Sequence, residues 1–294
     1  MKNLISIFSL LVLFFFRSYS QNNYINYYRQ LYQGNVDLAF NMNKPLPNDL
    51  FARSIYYFKS KQFHKGKKFL KKAAIYGFNY TECIKQPFMD SILSNNMALH
   101  NLVDKSYRIF ITRICDFNNS VLITKLFEND QNIRRISNYN GTDSLLRKYL
   151  MAKLIECDSI NYYSLLKIIK EPTFISTNLT LESKLGLGII LAHSATNNYA
   201  NADSVFQLLK NEMLKGVVSP LFYSNSVDRY YMYNKKMNYY CQFFDEDFPI
   251  YDIINIDKRR EEIGLPSLYQ EFKSINKLNE LPKDYKYDNN SVKY

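Results

Sequence analysis

The chain has 294 residues and a formal charge of +11, with 38 lysines and arginines against 27 acids. That length allows one large domain or two small ones with a real core. Cys83, Cys115, Cys157 and Cys241 lie far apart with no C-x-x-C spacing, and His64, His100 and His193 include no i, i+4 pair, so neither a zinc ribbon nor a thioredoxin-type or metal site is expected.

At the N-terminus Lys2 precedes the apolar run Leu4 to Phe16, and Ser18 and Ser20 stand three and one positions ahead of a cut before Gln21. This is the layout of a removable signal peptide over residues 1–20, and it predicts an exported protein, periplasmic or extracellular. The run is shorter than the roughly 20 residues that a membrane span needs. No later segment is long and apolar enough either, so no transmembrane span is expected in the mature chain. An oxidising compartment permits disulfides, and four cysteines allow three full pairings among which the spacing does not choose.

Residues 24–43 and 88–117 are apolar enough for helices, and between them 48–62 and 64–76 read as a helical hairpin. Asn48 or Asp49 is placed to cap the first helix, Gln62-Phe63 to form the turn and Gly77 to end the second. Tyr57, Gly66, Leu70 and Ala73, with the small Ser54, occupy the intervals of a tetratricopeptide repeat, whose small residues let two helices approach closely. The hairpin resembles one such unit, and residues 21–117 are expected to form a tetratricopeptide-like helical region.

The hairpin is also the centre of the positive charge. From Gln21 to Leu150, 19 lysines and arginines face 9 acids, whereas from Met151 to Tyr294 there are 17 against 18. Lys65, Lys68 and Lys72 share one helical face opposite Gly66, Leu70 and Ala73. The face reads either as a solvated surface or as a patch for an anionic partner such as lipid headgroups, glycans or an acidic protein. Nucleic acid is not expected, because export removes the chain from it and no groove-reading motif is present.

From Asn118 the pattern stays helical: 121–136, 145–157 with Asp158 as a cap for 162–169, then 181–193 and 202–214. Ser219-Pro220 reads as a cap followed by an N1 proline for a helix to Tyr233, and Ile254–Ile263 as another, stopped by Gly264. Strand-like alternation is confined to Tyr239–Phe244, so the fold class is all-α. Residues 273–294 are polar and aperiodic, which predicts a disordered tail.

Residues 118–272 carry Asp130-Gln131-x-x-Arg134, Asp158 with Asn161, His193, Asp228-Arg229, Tyr240 and Arg259-Arg260-Glu261-Glu262-Ile263-Gly264-Leu265-Pro266. In order and spacing this resembles a domain-of-unknown-function family of exported Gram-negative bacterial proteins, for which no activity can be carried over. The chain departs from that pattern: Ala192-His193 stands for Gln-His, Tyr240-Cys241-Gln242-Phe243 for Tyr-Gly-Thr-Gln, and the Gly ahead of Pro172 is missing. Those losses suit a non-catalytic member.

Two function classes follow. One is an exported interaction or scaffolding protein, binding an unknown protein or an anionic envelope component through Lys65, Lys68 and Lys72. The other is a hydrolase-like enzyme with His193 as base, Asp228 orienting it, and Arg229 or Arg260 holding an anionic substrate. No positioned Ser or Cys nucleophile, phosphate-binding Gly loop or cofactor motif accompanies them, and no cofactor is expected. Each candidate also has a structural reading: a core or cap role for His193, and helix cross-linking for Asp228 and Arg229.

Overall fold

Small residues bring the first two helices together. In this computed structural model, α1 (Pro47–Lys59) and α2 (Phe63–Ile75) pack as a hairpin. The Ser54 hydroxyl donates to the Gly66 carbonyl at 3.1 Å, and a Cβ on Gly66 would lie 2.9 Å from the Phe58 ring. The turn is Ser60-Lys61-Gln62, with Lys61 at φ +60, rather than Gln62-Phe63. Gly77 ends the hairpin at φ +109, a conformation that glycine adopts without steric penalty.

The described residues are 25, 30, 47–137, 144–196, 202–243 and 248–286. The expected signal peptide at 1–20 lies outside them, as does most of 24–43, of which Ile25 and Gln30 are described and helical. Among the described residues no strand forms, and the alternation expected at 239–244 leaves an isolated bridge between Asn238 and Ile250. The fold is all-α. No described helix is long and apolar enough to cross a membrane.

By internal contacts the described chain divides into a unit within Lys44–Glu212 and a C-terminal unit that begins at Met213. The boundary read from the sequence after Phe117 falls inside the first of these, where Phe117 opens a helix. In Lys44–Glu212 the hairpin is followed by α3 (Tyr80–Ile84), α4 (Pro87–Ser94) and α5 (Met97–Arg113). Asn79 and Asn96 cap α3 and α5 by accepting from Glu82 N–H and Leu99 N–H. Leu50, Phe58, Leu70, Met89, Leu93 and Val103 form the core beneath them.

Next come α6 (Phe117–Ser137), α7 (Ser144–Ile169) and α8 (Leu181–Thr196), which pack on one another. On α8, Gly186 permits a close approach, since a Cβ there would meet the Phe127 Cβ of α6 at 2.8 Å. Asp158 does not cap a second helix. It sits within the unbroken α7, because no Gly or Pro interrupts 157–162 and its carboxylate finds a partner on α6 instead.

α9 spans Ala202–Leu214. In the C-terminal unit α10 (Pro220–Lys235) starts with the expected Ser219 cap and ends at Lys236, φ +56. α11 (Ile256–Glu262) stops at Gly264, and α12 (Leu268–Ser274) opens with a capping box between Ser267 and Gln270. The tail expected from Lys273 is built into this unit as far as 286: Leu281 and Tyr285 pack against Cys241, Ile256, Leu268 and Phe272. Tyr285 also donates its hydroxyl proton to Asp257 at 2.7 Å. The remainder of the expected tail, 287–294, lies outside the described residues.

Candidate functional site

The richest constellation of charge joins α6, α7 and α8. Asp130 and Arg134 are one turn apart on α6, Asp158 projects from α7, and His193 lies near the end of α8. Arg134 Nη2 donates to both Asp158 oxygens, at 2.6 and 2.8 Å, while its Nε donates to Asp130 Oδ1 at 3.1 Å. The same Asp130 oxygen lies 2.9 Å from His193 Nδ1, and Gln131 donates to Oδ2 at 2.7 Å. Both carboxylates are 1% exposed, whereas the His193 side chain is 25% exposed.

Burial works against the charge of Asp130, but His193 and Arg134 outweigh it and hold this carboxyl well below the ordinary carboxylate range. Burial dominates at Asp158 and pushes its carboxyl up, with Arg134 opposing. The carboxylate that contacts His193 is thus Asp130 of α6. Asp130 and Asp158 were visible in the sequence as motif residues, but nothing there joined Asp130 to a histidine 63 positions along.

Ligand atoms of Asp130, Asp158 and His193 lie within 4.8 Å of one another, a donor set that a divalent cation could use. The fit is poor, because the Arg134 guanidinium already stands between the two carboxylates as their cation. Beside the cluster, Asn132, Ile133, Ile136, Cys157 and Ile160 line a groove of about 440 Å³ between α6 and α7. Cys157 is a poor nucleophile there: burial and the nearby charges of Asp158 and Asp130 push its thiol up, away from the reactive thiolate. All four cysteines are free thiols.

The other candidates lie in the C-terminal unit and are mostly spent on its own backbone. Asp228, fully buried, accepts from Tyr239 N–H (2.7 Å) and Tyr240 N–H (2.6 Å) on one oxygen and from Gln242 N–H (2.6 Å) on the other. Burial pushes its carboxyl up; the three N–H groups and Arg260 oppose this. Cys241, between two of these amides, adopts φ +58, which turns the backbone around the carboxylate. Replacing one oxygen by an amide, Asp228→Asn, sets N–H against N–H and is expected to destabilise this unit by about 2 kcal/mol. Urea unfolding of the full chain, followed by the tyrosine-rich near-UV signal, checks it; an unchanged midpoint would contradict the role.

Arg260 is fully buried and donates to the Pro266 and Tyr240 carbonyls at 2.7 and 2.6 Å and to Glu271. It is closed to an anionic substrate. Its neighbour Arg259 is layered with Tyr239 and Tyr251, 5.0 and 5.3 Å from their ring centres, and donates to backbone carbonyls. Arg229 is exposed, 5.5 Å from the Phe243 ring centre, and does not pair with Asp228.

On α2, Lys65, Lys68 and Lys72 are exposed as the sequence predicts. The amines of Lys65 and Lys72 lie over the rings of Tyr57 and Phe69, at 5.3 and 5.8 Å, and those rings stack on each other at 5.3 Å. Sequence reasoning missed Lys184, an ammonium carried into the interior by the apolar helix α8. In comparisons with protein families, curated proteins and solved structures, nothing matches this chain.

Proposed function

We propose that this is an exported helical interaction or scaffolding protein of the periplasm or cell exterior, which docks on an anionic partner through the α1–α2 hairpin. The observation that carries the reading is the charge of that hairpin: Arg53, Lys59, Lys61, Lys65, Lys67, Lys68, Lys71 and Lys72 occur between Leu50 and Thr81 with no acid among them. The tetratricopeptide-like spacing and the signal-like N-terminus support presentation of this face outside the cytoplasm. The resemblance of 118–272 to exported proteins of unassigned activity agrees with it.

Changing Lys65, Lys68 and Lys72 to Glu is expected to leave helicity and melting nearly unchanged, since exposed charges contribute little to stability. Capture of anionic envelope material should fall sharply, most of all at low salt. Equal capture by wild type and variant would leave the lysines as a merely solvated face.

A second reading is favoured by the 2.9 Å contact between Asp130 and His193: a hydrolase-like enzyme in which His193 is the base and Asp130 orients it. Here His193→Ala should abolish turnover of some ester or amide while leaving the fold intact. A broad hydrolase screen in which the wild type turns nothing over would remove this reading.

A further inference from the structure

Resting on the docking reading above, we infer that the anionic partner of the α1–α2 hairpin is the headgroup surface of a lipid bilayer, met peripherally and without insertion of a helix. The shape of the patch is the first reason. Gly66, Leu70, Ala73 and Ala74 form the buried side of α2, while Lys65, Lys67, Lys68, Lys71 and Lys72 are all exposed. At 100° per residue these lysines sweep about 160° of the helix. That is a convex, half-cylindrical field of charge, suited to lying on an extended surface.

The residue type is the second reason. Apart from His64, every exposed basic residue here is lysine, and the one arginine of the hairpin, Arg53, is 3% exposed. Lysine offers a hydrated point charge on a flexible stem, which follows a diffuse anionic field. Recognition of a discrete phosphate or carboxylate favours the arginine fork. Among the described residues none of these lysines forms an ion pair, so their charge is available to an outside partner. The third reason is aromatic: Tyr76, just after the end of α2 and close in angle to Lys65 and Lys72, is 52% exposed. Rings in that setting lodge at the headgroup boundary.

Each lysine near an anionic membrane strengthens partitioning by about fivefold. Removing three should weaken it by at least about a hundredfold. The experiment uses the full chain, sedimented with vesicles of equal phosphatidylglycerol and phosphatidylcholine, and with phosphatidylcholine alone, at low and high salt. Expected are binding to the mixed vesicles, loss of it at high salt, none to the neutral ones, and at least a hundredfold weakening in both the Lys65/Lys68/Lys72→Glu and →Ala variants at unchanged far-UV helicity. Glycerol phosphate, the free headgroup, should not compete at millimolar concentration; saturable competition would indicate a discrete phosphate site and overturn the bilayer surface.

Soluble polyglutamate separates the two levels of the reading. If the vesicles fail while polyglutamate binds in a lysine-dependent way, the lipid inference falls and the docking function stands. Lysine-dependent binding to neither overturns both.

Discussion

Replacing Arg134 with alanine is expected to destabilise the Lys44–Glu212 unit by about 3 kcal/mol at neutral pH, because it takes the guanidinium away from two buried carboxylates. Asp130 and Asp158 are each 1% exposed and share this one guanidinium. The dependence on pH has a definite sign. In the wild type the Asp130 carboxyl is held below its unfolded value, so its contribution is present above that value and is lost as pH falls through the folded one. Asp158, pushed up by burial, has the opposite sign: its contribution is present in acid and is lost as pH rises through its folded value. In Arg134→Ala Asp158 loses the guanidinium and Asp130 keeps only His193 beside it, so both carboxyls move up and the gap from wild type should narrow near pH 4. Urea unfolding at pH 7 and pH 4 reads both effects. Replacing the whole set by uncharged groups of similar bulk, Arg134→Met with Asp130→Asn and Asp158→Asn, should recover much of the loss. A difference below about 1 kcal/mol at pH 7 for Arg134→Ala would mean that water already serves the two acids.

The parts of this protein that were legible in its sequence are those governed by local chemistry. The spacing of Ser54, Gly66 and Ala73 reported a close helix pair, Gly77 and Gly264 marked ends that take positive φ, and Ser219-Pro220 marked a start. The candidate site was less legible, because its contacts are made by residues with equally good local alternatives. Asp158 could cap a helix or meet a guanidinium, and Arg134, 24 positions away, decides between them. Likewise His193 could take any carboxylate in the second half, yet the one beside it lies on α6. Asp228 was beyond side-chain reasoning altogether, since its partners are backbone amides. The ordering of Leu281 and Tyr285 escaped for a related reason: two apolar residues in a polar, aperiodic stretch have no period to betray them.

Lys184→Met is expected to stabilise the Lys44–Glu212 unit, by about 3 kcal/mol at pH 7. Lys184 is 7% exposed. Burial pulls its pKa from 10.5 down to about 8, with Cys115 pulling weakly the other way. At about 1.4 kcal/mol per pH unit, that depression corresponds to the gain expected from an apolar side chain of similar length. The sign follows from proton counting: between about 8 and 10.5 the unfolded chain binds more protons at this lysine than the folded one, so wild-type stability rises with pH across that window. Below it the full penalty applies, and above it none remains. The methionine variant should therefore lead the wild type at pH 7, lead by less at pH 9, and lose the lead near pH 10.5, with other lysines contributing equally to both chains. Paired urea titrations at the three pH values measure the difference directly. A variant no more stable than wild type at pH 7 would show that the ammonium reaches water or an acceptor, and that α8 does not hold an unsolvated charge in the interior.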